Sequence, residues 1–327
     1  MKVLLLGATG LLGHNVLRCL VANGHTVNVL VRRADGIRMT VGEWRTFVGS
    51  PLDQGMLRQA AEGCEAVINC AGVTDMSLLH LEDYLPVNRD LPQMIVKVME
   101  ELGIKTLVHT STVNTIGYGS ADRPATEAEP MREPFAGSYY AESKRLGEEV
   151  ALEAAKTHRE WHVVVINPGY MLGAYDVKPS SGRMLLAGYR KPVMLAPKGG
   201  KAFVAVQDVA MAAVNAMTLG KTGERYIITG SSGCYSIKGL YEIQARVMGY
   251  RQKVVELPNW LFLAAGRVGD VLRSMGVRTE VSARNVRLLM VREYYDNRHG
   301  LCDLRYKEAP IEEAIYQFYK WREQRIG

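Results

Sequence analysis

Tyr140 and Lys144 stand four residues apart in "SYYAESKRLGEEV", and in a helix that spacing puts both side chains on one face. A phenol with an ordinary pKa of about 10 is a poor proton shuttle at neutral pH, and a cation one turn away favours its ionised form. The pair therefore reads as a proton donor and acceptor for a carbonyl or an alcohol. Tyr139 competes for the role, but only Tyr140 has a lysine four residues later. Taken alone, the pattern also suits a buried tyrosine beside a solvated lysine.

A second constellation opens the chain. In "VLLLGATGLLGHNVL" an apolar run breaks into Gly7, Gly10 and Gly13 before a helix-patterned stretch. Gly7 permits a tight turn, Gly10 lets a pyrophosphate approach, and Gly13 lets the helix pack closely on the strand. Such a turn presents unpaired backbone N–H groups to a phosphate. Thr9, Leu11 and Leu12 share it and are expected among the cofactor contacts. The spacing is G-x-x-G-x-x-G rather than G-x-G-x-x-G. Arg32 and Arg33 end the second apolar run, where an NAD site would place an acidic residue against the ribose. Guanidinium groups suit a 2′-phosphate, so NADP (NADPH) is predicted over NAD, with Asp35 just beyond keeping NAD as the alternative.

These residues must be held by a scaffold. Periodicity predicts strands at residues 2–6, 26–31, 45–49, 65–71 and 105–111, a long helix over 138–156, and a further strand at 161–169. Strand and helix alternate, which predicts an α/β fold: a doubly wound parallel sheet of Rossmann type. After Pro168 the texture changes to the loop "YDVKPSSGR", then returns to strand-then-helix in "AFVAVQDVAMAAVNAM". A smaller, mostly helical, discontinuous C-terminal substrate domain is expected. The division is 1–168 with about 200–245 for the dinucleotide domain, and about 169–199 with 246–327 for the substrate domain.

Composition narrows the classes. The 327 residues are 47% hydrophobic and can bury a large core. "WLFLAAG" is broken by Arg267 and Asp270 too soon for a membrane span, and no signal peptide is read at the start. A soluble cytoplasmic protein with no membrane partner is expected. Five scattered cysteines without a C-x-x-C pair suggest neither disulfides nor a metal site. The net charge of +6 comes from dispersed lysines and arginines, so no nucleic-acid partner is expected.

"GATGLLG" together with "YYAESK" resembles the extended short-chain dehydrogenase/reductase family (the NAD-dependent epimerase/dehydratase superfamily). The stretches "NPGYMLGAYDVKPSSGR", "FVAVQDVA" and "GERYIITG" are most similar to its dihydroflavonol-reductase-like branch, including hopanoid-associated sugar epimerase-like proteins. The resemblance implies that Lys144 also contacts the nicotinamide ribose. It implies Thr112 as the catalytic hydroxyl, with Ser111 as competitor. Cys70, Ala71 and Gly72 would run along the cofactor, as would Pro168 and Gly169. Asp53 lies three residues past the place of the family's adenine-contacting acid, where Ser50 stands. Asn88 falls where the family props its active site and is read as structural; Asp208 is read as a helix cap. Val113 and Asn114 replace the Asp–Glu pair of the dehydratases, which disfavours dehydration. The implied function is NADP-dependent reduction of an aldehyde or ketone, or oxidation of the alcohol. A nucleotide-sugar epimerase and a non-catalytic NADP-binding sensor or assembly factor are the alternatives. The partners implied are a carbonyl or sugar substrate, with a homodimer left open. The loops at 118–137 and 178–184 are expected to frame the substrate.

Overall fold

The computed structural model describes residues 1–33, 37, 42–230 and 233–326. Its centre is a seven-stranded sheet of β1 (Lys2–Leu6), β2 (Thr26–Val31), β3 (Arg45–Val48), β4 (Ala66–Asn69), β5 (Thr106–Thr110), β6 (His162–Pro168) and, from later in the chain, β10 (Arg225–Ile228). The order is β10-β6-β5-β4-β1-β2-β3, and every neighbouring pair is parallel. The chain reverses its direction of travel across the sheet between β1 and β4, which leaves a crevice at their carboxyl ends.

Strand sequences explain the two layers. Side chains alternate across a sheet, so Val3 and Leu5 of β1 pack to one side while Leu4 and Leu6 pack to the other. Both faces are buried, and the strands read as nearly continuous apolar runs. One face is covered by α1 (Leu11–Ala22) and α6 (Val206–Asn215), which pack on each other. The opposite face is covered by α2 (Gln54–Ala61), α3 (Leu91–Leu102) and α4 (Tyr139–Thr157). Burying each leucine here contributes about 1.5–3 kcal/mol before conformational entropy is set against it.

The remaining chain builds around a separate core of Leu172, Phe203, Leu240, Ile315 and Phe318. Three short strands, β7 (Tyr170–Leu172), β9 (Gly200–Ala205) and β11 (Cys234–Ser236), form one small sheet, and β8 (Val193–Pro197) pairs with β12 (Lys253–Leu257) in another. Around them lie α5 (Gly182–Gly188), α7 (Ile237–Val247), α8 (Asn259–Ser274), α9 (Ala283–Met290) and α11 (Ile311–Ile326). The last helix before α11, α10 (Arg298–Leu304), packs on β10 and α6.

Ser138 ends the loop before α4 as its N-cap, its Oγ accepting from the Ala141 N–H at 3.5 Å. Asp208 does not cap α6, because Ala205 holds that position without a side-chain bond. Asp208 lies in the first turn, and its Oδ2 accepts from the Ala309 N–H at 2.8 Å, tying α6 to the segment before α11. Burial raises this carboxyl to about 6, opposed by that N–H and reinforced by Glu308.

Candidate active site

The glycine turn joins β1 to α1. Gly7 has φ of +81°, and a Cβ there would lie 2.6–2.7 Å from the backbone of Cys70 and Ala71 at the end of β4. A Cβ on Gly13 would lie 2.1 Å from the Gly7 carbonyl oxygen. Both positions therefore exclude any side chain, and the turn lies flush against two neighbouring strand ends. Gly10 is the N-cap of α1, with no side-chain cap and no acidic residue in the first turn. The first helical N–H groups, at Leu11 and Leu12, have no partners within the helix. An anion at this end satisfies them and meets the positive end of the helix dipole. The residues present fit a dinucleotide pyrophosphate.

Further along the same edge, β4 and β5 end beside α4. Lys144 is 4% exposed, and its Nζ donates to the Thr110 carbonyl at 2.6 Å. Thr110 Oγ1 in turn donates to Cys70 Sγ at 3.6 Å. A Cβ on Gly72 would stand 3.8 Å from Lys144 Nζ and 3.5 Å from Asn88 Oδ1. Asn88 acts as a clamp: its Oδ1 accepts from the Val73 N–H at 2.8 Å, and its Nδ2 donates to Val73 O at 3.0 Å and Ser143 Oγ at 2.8 Å. The structural reading of Asn88 matches these bonds. Burial pushes the Lys144 ammonium down to about 8, while Glu148 and the Cys70 thiol oppose the fall.

The expected effect of Lys144 on the phenol takes a different form. The ammonium turns to Thr110, and Tyr140 is raised above its ordinary value by burial, with a hydrogen bond to Thr112 pulling the other way. Thr112 caps the short turn at Val113–Thr115, its Oγ1 accepting from the Asn114 N–H at 3.3 Å. Ser111 is also buried, and its Oγ has no partner among the described residues. The geometry thus brings Tyr140 and Thr112 together, and places Lys144 with Cys70, Gly72 and Thr110.

Other expected residues lie around this line. Pro168 ends β6, and the Gly169 N–H donates to Ile228 O at 2.9 Å. Ala71 donates its N–H to Asn69 Oδ1 at 3.1 Å. Arg32 and Arg33 follow β2 with exposed side chains, whereas Asp35 lies outside the described residues. Asp53 is engaged elsewhere, since it caps α2 and its Oδ1 accepts from the Met56 N–H at 3.1 Å.

Sequence reasoning passed over a buried carboxylate. Glu148, one turn after Lys144, is 2% exposed and accepts from Thr115 Oγ1 and Asn167 Nδ2 at 2.8 Å each; Arg225 of β10 pairs with it at 3.0 Å. Asn167 also donates to Thr112 O at 3.1 Å, so one network fixes α4, β6 and the Thr112 turn together. Its signal was present in the spacing: Tyr140, Lys144 and Glu148 repeat at four residues and share one helix face.

Tyr140 also borders a cavity of about 380 Å³. Met76, Leu78 and Tyr84 form one wall, and Asp270 and Arg273 of α8 with Arg284 and Arg287 of α9 form the other. Arg273 holds the walls together by donating to Leu78 O at 2.5 Å and Thr279 O at 2.7 Å. The loop at 118–137 lines a different cavity, of about 860 Å³, through Tyr118, Glu133 and Pro134. The 178–184 segment lines neither of the two: Gly182 packs on Phe318, and Arg183 pairs with Glu280.

Residues 3–229 match the family model for the NAD dependent epimerase/dehydratase family. The chain belongs to that family. It is accordingly an enzyme of the extended short-chain dehydrogenase/reductase superfamily, and its cofactor is a nicotinamide dinucleotide. A Synechocystis sp. protein described as a dihydroflavonol 4-reductase is 27% identical over 325 residues, covering 96% of this chain and 92% of its own. Sterol demethylase protein B of Methylococcus capsulatus is 30% identical over 234 residues, 70% of either chain. A UDP-glucose 4-epimerase of Thermotoga maritima, solved with UDP-glucose, superposes with a TM-score of 0.78 at 17% identity over the full length of both chains. That likeness concerns the fold.

Proposed function

We propose that this enzyme is an NADP-dependent reductase of a ketone or aldehyde, with Tyr140 as the proton donor. The observation that carries the reading is Tyr140 at the wall of the cavity, on the same helix face as a buried Lys144 that reaches the strand ends beside the glycine turn. Gly7, Gly10 and Gly13 would hold the pyrophosphate, Arg32 and Arg33 the 2′-phosphate, and Lys144 the nicotinamide ribose. When bound, the reduced nicotinamide supplies a hydride to the carbonyl carbon. Tyr140 gives its proton to the carbonyl oxygen, leaving the alcohol. Burial keeps the phenol protonated, which is the form a reduction needs. Thr112, already bonded to Tyr140, orients the carbonyl oxygen. Residues 169–199 and 246–327 would supply most of the substrate's surroundings, as the α8 and α9 wall suggests. The name of the Synechocystis relative, a dihydroflavonol 4-reductase, supports the reductase reading.

A second reading has its own support. Arg284 and Arg287 on the opposite wall suit a diphosphate, the anchor of a nucleotide-sugar epimerase. Stoichiometry separates the two, because a reductase consumes one NADPH per product and an epimerase consumes none. A panel of ketones, aldehydes and nucleotide sugars is assayed for NADPH loss and product, with Tyr140→Phe beside the wild type. Turnover of a carbonyl compound with NADPH loss is expected, falling about 10²–10⁴-fold in the variant while NADPH affinity holds. Near-normal turnover by Tyr140→Phe rejects the mechanism, and sugar inversion without NADPH loss selects the epimerase. Arg32→Ala is expected to erase a preference for NADPH over NADH measured by calorimetry; equal affinities in the wild type reject the NADP assignment.

A further inference from the structure

The packing of α8 is inverted. Its face towards the protein is glycine: a Cβ on Gly266 would lie 2.8 Å from Ala283 backbone, and one on Gly269 1.9 Å from the Val281 carbonyl oxygen. Phe262 and Leu263 are half-buried, while six large side chains at the helix and its C-cap point away. Trp260, Val268, Val271 and Met275 are 64%, 64%, 60% and 73% exposed, and Leu261 and Leu272 are exposed beside them. At about 3.6 residues per turn these six fall within roughly a third of the helix circumference. A surface helix ordinarily turns such a stripe to the core, and here nothing among the described residues covers it.

The surrounding charge says what does. Between Pro258 and Arg292 the chain has six arginines against two carboxylates, Asp270 and Glu280. Both acids are engaged, Asp270 by the Ala283 N–H at 3.2 Å and Glu280 by Arg183. Arg267 on the flank of the stripe and Arg278 just past its end are exposed, and Arg278 also lies in the field of Asp75, whose carboxyl it helps to hold down. An apolar stripe with a tryptophan at one end and cations at its margins is the pattern of a helix that lies in a lipid interface. At 16 residues α8 is shorter than the roughly 20 a span needs, and no helix described is long and apolar enough to cross a membrane.

We propose that α8 docks this enzyme on the surface of an anionic lipid bilayer. Trp260 and the valines enter the boundary between headgroups and acyl chains, and Arg267 and Arg278 meet lipid phosphates. The other side of the same helix supplies Asp270 and Arg273 to the cavity that Tyr140 borders, so the docking face and the cavity are the two sides of one element.

Flotation of the full chain tests this without any activity. One set of vesicles is phosphatidylcholine alone, and the other is phosphatidylcholine with one third phosphatidylglycerol. The wild type is expected to float with the mixed vesicles at low salt, and to bind at least about tenfold more weakly to the neutral ones or at high salt. Trp260 emission shifts to the blue on binding, a change absent in Trp260→Phe. The double variant Val268→Glu with Met275→Glu loses binding at least about tenfold while its circular dichroism and melting midpoint stay unchanged, since both positions are exposed. Failure of the wild type to float with anionic vesicles overturns the proposal, and so does undiminished binding by the double variant. A wild-type dimer in sedimentation velocity that the double variant abolishes also overturns it, because the face then belongs to a second copy.

Discussion

Lys144 concentrates the electrostatics of the site into one group. Its ammonium is buried, donates to Thr110 and sits a turn from Glu148, with burial pushing its pKa down to about 8. The unfolded value lies near 10.4, so between pH 8 and 10 the unfolded chain holds the proton that the folded chain has released. Stability carried by this group is therefore lowest below pH 8 and rises across that window. With Lys144 in its proposed place at the nicotinamide ribose, affinity for the dinucleotide is expected to run the opposite way, because the ammonium is lost there. Calorimetry across pH 7 to 9.5 is expected to show NADPH binding weakening through about pH 8 in the wild type. The same titration should be weaker and flat in Lys144→Met. A flat wild-type profile would show that this ammonium does not serve the cofactor.

At the level of elements, the close contact between the first strand turn and α1 fixes where the helix N-terminus stands, the place proposed for the pyrophosphate. Gly13 packs against the Gly7 carbonyl so tightly that a methyl group must displace one or the other. Gly13→Ala is expected to cost about 1–3 kcal/mol of stability, as overpacking does, and to weaken NADPH binding by at least about tenfold by shifting the helix N-terminus. Denaturant unfolding and cofactor titration measure the two effects separately. Unchanged affinity in a folded Gly13→Ala protein would remove the turn from the cofactor site. Asp208 shows how an element-level expectation from sequence can miss. Its place in the first turn of α6 suits a cap, yet its carboxylate reaches across to Ala309, a partner that exists only once α6 and the segment before α11 are docked.

The whole molecule carries a sensitivity to acid in His14. This side chain is fully buried in α1 and stacked on Tyr175 at 4.4 Å, and burial, helped by Arg18, lowers its pKa to about 4. The unfolded chain binds the proton near pH 6.5, so stability from the neutral ring is complete above that value and is lost as pH falls towards 4. The loss amounts to about 2–3 kcal/mol at the lower end. Urea unfolding at pH 7 and pH 4.5 is expected to show this drop, and a smaller one in His14→Phe, which keeps a ring against Tyr175 but takes up no proton. An equal drop in both proteins would assign the acid sensitivity elsewhere. The same molecule leaves the large side chains of α8 outside its cores, so its stability and its exposed apolar face are set by different parts of the chain.

The sequence by itself determined what is local. Apolar runs gave the strands of the parallel sheet, the three glycines marked the turn, and a four-residue spacing put Tyr140, Lys144 and Glu148 on one face of a helix. Periods of two and 3.6 residues are properties of neighbouring residues, and such signals survive without knowledge of the fold. Only the tertiary structure decided which distant groups meet. It turned Lys144 to Thr110, engaged Asp53 in capping α2, sank Glu148 beside Arg225, and brought Arg273 and Arg284 from more than a hundred residues away to face Tyr140. It also chose the outward face of α8: periodicity locates an apolar stripe, but whether that stripe meets a core depends on close packing elsewhere, here of Gly266 and Gly269 against residues 281–283.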